Sequence, residues 1–368
     1  MTDRGHSEGI TMSAGGLYSL ATIGAKHVID AAAPMVLDAI ESLPAQSFAN
    51  GFTLSDMGTA DAGTSMDMIT RVVDRVRVRS PQAPISIVYA DQPRNDFNAL
   101  IANVHGMGAF DSYIDRHPDI YPLVSGTTFY RQILPAGTLD IGFSATAMHW
   151  LSAKVCNISN HVQAVGAEGD ELQAFREQAH RDWRLILAHR ARELKPGGKL
   201  VLINFARDEQ GRYLGNTGGV NMFDNFNRIW LEFLDQGRID RQEYENMTLP
   251  QYYNTVEEFS APLLDASEPV HQAGLRLDHI ETRVVKCPYA QSFDEHGDAA
   301  RFAEEYIPTI RSWNESIFFS GLSVERSAEE RREIIEDYYA TYRAQVAADP
   351  EGHGMDYVHA YTVISKVG

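Results

Sequence analysis

The chain has 368 residues, 44% hydrophobic and 22% charged, with a formal net charge of −18. That is a soluble globular balance, long enough for one large domain with an appendage or for two domains. The negative charge argues against a nucleic-acid or anionic-membrane partner, since no basic patch is there to release counterions, and two cysteines, Cys156 and Cys287, exclude a disulfide framework or a cysteine zinc site.

Residues 1–12 are polar and without periodicity, as in a disordered segment. No secretory apolar segment is visible, and no later run approaches the roughly 18 apolar residues that span a bilayer. A cytoplasmic enzyme is the expectation. Ser13–Tyr18 is a Gly-containing entry to a helix over Leu20–Leu43, where Pro34 is expected to kink or split the helix. Phe52–Asp56 reads as a short strand, Ser65–Arg77 as a helix with apolar residues at three- and four-residue spacing, and Ile85–Asp91 as a buried parallel strand. Asn95–Val104 reads as a short helix and 105–138 as loop-rich. Leu139, Ile141 and Phe143 alternate as a strand, which leaves through Ser144 and Thr146 into Met148–His149–Trp150. A long amphipathic helix, Glu171–Leu194, is closed by a Pro-Gly-Gly turn before the strand Lys199–Ala206. Strands and helices thus alternate from 52 to 207, the pattern of an α/β fold with a doubly wound parallel sheet. Beyond 210 come aromatic-rich helices (Met222–Leu234, Thr255–Leu264, Phe302–Phe319), a charged amphipathic helix (Ala328–Ala347) and the strands Leu275–Val285 and Tyr357–Ile364.

Three strand ends carry chemistry. Asp56-Met-Gly58 and Gly63 follow the first strand, and a Gly there lets backbone approach a nucleoside closely. No G-x-G-x-x-G is present, which disfavours NAD; an ordinary βα turn is the plain alternative. Asp91 ends the second strand and can accept from two vicinal ribose hydroxyls, or it can cap the next helix, a role that Asn95 or Asp96 would also fill. The His149–Trp150 tip is either a ligand-facing strand end or a corner with Trp150 as core filler.

At this point the chain resembles a known family. ADQPRNDFNAL is similar to the NDLPxNDFN segment of the SABATH small-molecule methyltransferases, SGTTFYRQILP to PGSFYxRLFP, GFSATAMHWLS to HSSYSLHWLS, and IRSWNESIFF to VRAxxEPLL. The resemblance implies a Rossmann-like (class I methyltransferase) sheet with a helical cap, S-adenosylmethionine as cofactor, and a homodimer. Residues 1–50 would form an N-terminal segment and helix closing over the site. Residues 51–209 with 270–290 and 355–368 would form the core, and 210–269 with 291–354 the cap. Carried over residue by residue, the cofactor contacts implied are Tyr18, Thr22, Asp56, Gly58, Thr59, Thr64, Asp91 (ribose), Gln92, Thr128 and Phe129 (adenine) and Ser144. On the acceptor side the implied residues are His149 and Trp150, whose indole N–H donates to a carboxylate, with Thr146 in place of an aromatic residue.

Two departures stand out. The Gln that is the family's second carboxylate donor is Ala25 here, with Arg228 and Arg311 as candidate replacements. The substrate-sandwiching Trp of the cap corresponds to Phe223. The positions matching a structural magnesium site in some members, Glu245, Met247 and Thr248, suit a hard cation poorly, so no metal is expected. The implied function is methyl transfer to the carboxylate of a small, aromatic or apolar acid, by in-line displacement without a general base. N-methylation of a heterocycle, a NAD-dependent oxidoreductase and a non-catalytic nucleoside-binding protein are the alternatives.

Overall fold

A computed structural model describes residues 17–367. The expectations for residues 1–12 and for most of the Gly-containing entry lie outside the described residues. Seven strands form one sheet: β1 (Phe52–Met57), β2 (Ile85–Ala90), β3 (Ile120–Ser125), β4 (Leu139–Ala145), β5 (Leu194–Phe205), β6 (Leu275–Val285) and β7 (Tyr357–Lys366), in the order β3-β2-β1-β4-β5-β7-β6. The first five are parallel; β7 runs antiparallel between β5 and β6. Strand order reverses direction between β1 and β4, so a crevice opens beyond their carboxyl ends.

The helices are α1 (Leu17–Ala21), α2 (Ile23–Ser42), α3 (Met66–Arg79), α4 (Phe97–Val104), α5 (Gly169–Glu193), α6 (Met222–Asp235), α7 (Arg241–Asn246), α8 (Val256–Leu264), α9 (Pro269–Gln272), α10 (Pro288–His296), α11 (Ala299–Gly321) and α12 (Ala328–Ala348). The near-continuous apolar runs of the central strands follow from burial on both faces. In β5, Val201, Ile203 and Phe205 join the cluster under α2, whereas Leu200 and Leu202 meet Trp183, Ile186 and Leu187 of α5 on the other face. The α2-side cluster continues without a break into Phe226 and Trp230 of α6, Phe318 of α11 and Tyr338 and Tyr342 of α12. There Trp230 and Tyr338 stack with centroids 4.3 Å apart.

Two expectations from the sequence need correction. The first helical segment is interrupted at Thr22 (φ −116°, ψ 50°), and α2 runs through Pro34 unbroken. The interruption has a use: the Ala21 carbonyl freed by it accepts from the hydroxyls of Tyr289 and Thr309, tying this segment to α10 and α11. The second correction is β3, which lies in the stretch read as loop. As an edge strand it pairs only with β2, so Pro122 can sit within it, and its side chains are half or fully exposed, which removes the apolar signal.

One buried ion pair positions the loop after β3. Arg190 and Glu193, at the end of α5, are paired through Nε–Oε2 (2.6 Å) and Nη2–Oε1 (2.7 Å) with essentially no exposure. Arg190 also donates to the carbonyls of Phe129 (2.9 Å) and Arg131 (2.8 Å), and Glu193 accepts from the backbone N–H groups of Ile133 and Leu134. Removing one member of such a pair leaves a buried charge uncompensated, at about 3–5 kcal/mol. Arg190→Met is therefore expected to lower unfolding stability by that amount in urea titration; a loss under about 1 kcal/mol would mean that the pair does not hold this loop.

Candidate active site

The crevice beyond β1 and β4 is a cavity of about 500 Å³. Four segments wall it: α1 and the start of α2, the ends of β1 and β2 with the loop 91–95, the loop 126–131, and the stretch 146–152 after β4. Phe205, Gln251 and Tyr357, grouped with His149 and Trp150 by ring contacts and backbone pairing, define the far end, and Leu214, Trp313 and Met355 complete the lining.

The β1 turn is built for backbone access. Gly58 has φ +77°, and a Cβ there would meet the Ala147 methyl at 2.4 Å and the Phe129 ring at 3.6 Å. Two non-glycine residues of the same turn, Ala60 (φ 50°) and Ala62 (φ 64°), are also left-handed. Asp56 lies beneath the turn rather than on the wall, and accepts from the hydroxyls of Thr59 (2.9 Å) and Ser65 (2.6 Å). Burial pushes its pKa up to about 6, against the pull of those two hydroxyls. Asp91 does line the cavity. Its carboxylate accepts from the backbone N–H groups of Ala60 (2.8 Å) and Gln92 (2.7 Å), and burial raises it to about 6 as well. Asp96 caps α4 and Asn95 donates to the Ala60 carbonyl, so Asp91 is spared the capping task.

The α1 segment is fastened over this turn. Ser19 donates through its backbone N–H (3.2 Å) and its hydroxyl to Asp61, and accepts from the Thr64 N–H at 2.9 Å. Thr64 thereby serves the fastening and does not reach the cavity wall. Tyr18 and Thr22 do reach it. The Tyr18 hydroxyl is raised to about 12 by burial, with Thr146 and Thr22 as hydrogen-bonding neighbours. Thr146 has φ 56°, a strained backbone for a β-branched residue, at about 1–3 kcal/mol. Its N–H bonds to Ile203 O at 2.9 Å, which holds it there. Ser144 is fully buried and donates to Met57 O at 2.7 Å, joining β4 to β1 below the cavity.

His149 and Trp150 stand together on the wall, ring centroids 5.4 Å apart. His149 packs edge-on to Phe205 (4.7 Å) and near Tyr253 (5.8 Å). Burial pushes its pKa down to about 3, so the imidazole is neutral at pH 7. Ala25, Thr128 and Phe129 also line the cavity. Phe223 does not: it is fully buried behind Trp313, their centroids 6.4 Å apart, and Trp313 takes the cavity face. The reason is position: Phe223 is packed among the rings of Tyr213, Phe226, Tyr253 and Trp313. Arg228 and Arg311 also stay outside, engaged with Glu232 and with Glu315 and Glu336. Sequence reading missed Phe205, Leu214, Gln251, Trp313, Met355 and Tyr357; they come from four distant segments, and only the aromatic weight of the cap hinted at Trp313.

The reversed-order sheet, the glycine turn and the strand-end carboxylate define a class I S-adenosylmethionine-dependent methyltransferase. The chain matches the model of the SAM-dependent carboxyl methyltransferase family over residues 18–366 and belongs to that family, the SABATH group. It is 29% identical over 276 residues to O-methyltransferase acrG of Aspergillus aculeatus, covering 71% of this chain and 68% of that protein. It is 24% identical over 303 residues to salicylate carboxymethyltransferase of Clarkia breweri (78% and 79% covered). In fold it is similar to loganic acid methyltransferase solved with SAH, with a TM-score of 0.74, 18% identity, and 97% and 99% of the two chains covered.

The residues present fit that cofactor. The Gly58 turn leaves no room for a side chain, Asp91 offers acceptor oxygens suited to a ribose, and Phe129 offers a ring face near the same turn. Ribose hydroxyls donate more strongly to an ionised carboxylate than to a protonated one. Protonation of Asp91, half complete near pH 6, competes with binding, and the ionised form prevails above pH 7. Affinity for S-adenosylhomocysteine by calorimetry is expected to be flat from pH 7 to 8 and to weaken as pH drops below 6. Asp91→Asn is expected to weaken it about 10- to 150-fold at pH 7.5, corresponding to about 1.5–3 kcal/mol for hydrogen bonds to a charged group. Unchanged affinity in the variant would remove Asp91 from cofactor binding.

Proposed function

We propose that the enzyme methylates the carboxylate oxygen of a small, largely apolar acid. The observation that carries this is the make-up of the far end of the cavity. His149, Trp150, Phe205, Leu214, Trp313 and Met355 give it an aromatic and apolar wall, and the charged lining residues, Asp91, Arg94 and Arg131, belong to the β2 and 126–131 side. Relatives named for salicylate and loganic acid support an acid as acceptor.

The cofactor supplies, when bound, a methyl group already activated on a sulfonium. What remains for the protein is positioning. A carboxylic acid with a pKa near 4 is ionised at pH 7, so no side chain has to remove a proton. His149, kept neutral by burial, is no rival for the acid's charge and needs no protonation change. Trp150 presents a donor-only indole that suits an acceptor-only carboxylate. The aromatic wall excludes water, which strengthens that hydrogen bond and leaves the carboxylate oxygen less solvated. A fixed donor beside an apolar body orients the acid, and orientation accounts for much of the rate gain in bimolecular transfer.

The test is methyl transfer from labelled cofactor to a panel of aromatic and aliphatic acids, phenols and nitrogen heterocycles. Alkali-labile methyl esters of acids are the expected products; methylated ring nitrogen alone would overturn the proposal. With the best acid, Trp150→Ala is expected to lower kcat/KM roughly 10- to 150-fold, the cost of losing a hydrogen bond to a charged group, with S-adenosylhomocysteine affinity within threefold of wild type. Equal loss of both would remove Trp150 from acceptor binding.

A further inference from the structure

A carboxylate has two oxygens, and Trp150 can serve one. The rest of the far wall offers few free donors. Ala25 has no polar group. Thr22 donates its hydroxyl to Tyr18 O at 2.8 Å, and Ser152 donates its own to Asp182 at 2.6 Å. The Tyr357 ring and hydroxyl lie flat against Gly24 of α2, where even an added Cβ would come within 2.1–2.7 Å, and the hydroxyl oxygen is sealed from the cavity, as is Nδ1 of His149.

Gln251 is different. The segment after α7 runs antiparallel to the 149–151 stretch: the Leu151 N–H donates to Pro250 O (2.8 Å) and the Tyr252 N–H to His149 O (3.1 Å). Trp150 and Gln251 are thereby paired across a two-stranded bridge. Residues directly opposite in an antiparallel pair point to the same side, with Cβ atoms about 4.5–5.5 Å apart. Both line the cavity. Gln251 is only 1% exposed, and its carboxamide oxygen accepts from the Tyr253 hydroxyl at 3.1 Å. That contact occupies the oxygen, while the amide nitrogen makes no hydrogen bond among the described residues and belongs to a side chain that lines the cavity.

We propose that Gln251 is the second carboxylate donor: its NH₂ and the Trp150 indole N–H hold one oxygen each of the acceptor acid, with Tyr253 fixing the carboxamide's orientation. The inference rests on the carboxyl-acceptor reading above. It also states a specificity. Two donor-only groups side by side select an acceptor-only group, so an ionised acid is favoured over its amide or its protonated form. The product ester is neutral and loses the charge-assisted part of both bonds, which favours its release.

The experiment compares full-length wild type, Gln251→Leu, Gln251→Glu and Tyr253→Phe, with methyl ester formation on the best acid of the panel measured from pH 5.5 to 8.5. Binding of S-adenosylhomocysteine by each variant serves as the check of folding. Gln251→Leu is expected to raise KM for the acid and lower kcat/KM at least tenfold, with cofactor affinity within threefold of wild type, and Tyr253→Phe to give a smaller loss of the same kind. Gln251→Glu supplies the readout that a structural role would not move. The titratable groups around position 251, Tyr253 and His149, are both uncharged at pH 7, burial having raised the one and lowered the other. An ionised Glu there repels the acceptor, whereas a protonated one can donate. With the cofactor held saturating, the activity of Gln251→Glu relative to wild type is therefore expected to rise as pH falls, because any loss from protonation of Asp91 is common to both. Ester formation within threefold of wild type in Gln251→Leu, or a Gln251→Glu profile parallel to wild type, would overturn the assignment and leave the carboxyl reading standing. A wild type that methylates only nitrogen or phenol acceptors would overturn both.

Discussion

The backbone bridge between residues 149–151 and 250–252 is the join on which the site depends. One strand of it leaves the carboxyl end of β4, at the reversal point of the sheet, and the other leads from α7 to α8. Without it, the His149–Trp150 tip would be a buried loop with unpaired N–H and C=O groups, which cost free energy wherever water is excluded. With it, the Leu151 N–H and the His149 carbonyl find partners, and the Trp150 carbonyl accepts from the Tyr130 hydroxyl. The same hydrogen bonds therefore satisfy the backbone and set the directions of the side chains that face the acceptor. The N-terminal wall is fixed in a comparable way, from both sides: Ser19 to Asp61 on the core, and the Ala21 carbonyl to α10 and α11.

Electrostatics divides the cavity. The protein carries a formal charge of −18 and is proposed to take an anionic acceptor. The arginines on the wall, Arg94 and Arg131, are exposed and sit on the β2 and 126–131 side, where they favour approach of an anion without clamping it. At the far end the polar groups are neutral. A carboxylate held by neutral donors keeps its charge on oxygen, and it is that charge which makes the oxygen a nucleophile; a buried arginine would bind more tightly and withdraw it. The loss of the family's Gln at position 25 calls for no compensating cation. Arg228 and Arg311, the arginines weighed for that place, are each paired with glutamates outside the cavity.

Most of the sheet was legible in the sequence because its strands are buried on both faces and so appear as apolar runs; β2 and the end of β5 were read to within a residue. β3 escaped because an edge strand has neither the run nor a ban on proline. The break at Thr22 escaped because nothing local marks it: it is stabilised by hydroxyls nearly 270 and 290 residues away in sequence. In the site, residues on the strand-end turns after β1, β2 and β4, such as Gly58, Asp91, His149 and Trp150, were legible because the chemistry and the turns coincide. Asp56, Thr59, Thr64 and Ser144 were read from the same turns, yet they point inward and build the wall from behind. Phe223 shows the limit of reading a position by likeness alone: the helix that covers it, α11, lies some 80 residues further along.

The departure at position 25 follows from how α2 is packed. Gly24 lets the Tyr357 ring lie directly on the helix backbone, which draws α2 close to the start of β7. A long side chain at position 25 would then project into the cavity from a helix already pressed inward, whereas Ala25 leaves that volume to the acceptor. The donor removed from α2 is supplied by a residue whose backbone is locked to that of Trp150. Two donors on one rigid ribbon are held closer to a fixed geometry than two donors on separate elements, because no movement of the N-terminal segment changes their separation. In the proposed arrangement the N-terminal wall would enclose the acid, and the ribbon after β4 would set its direction.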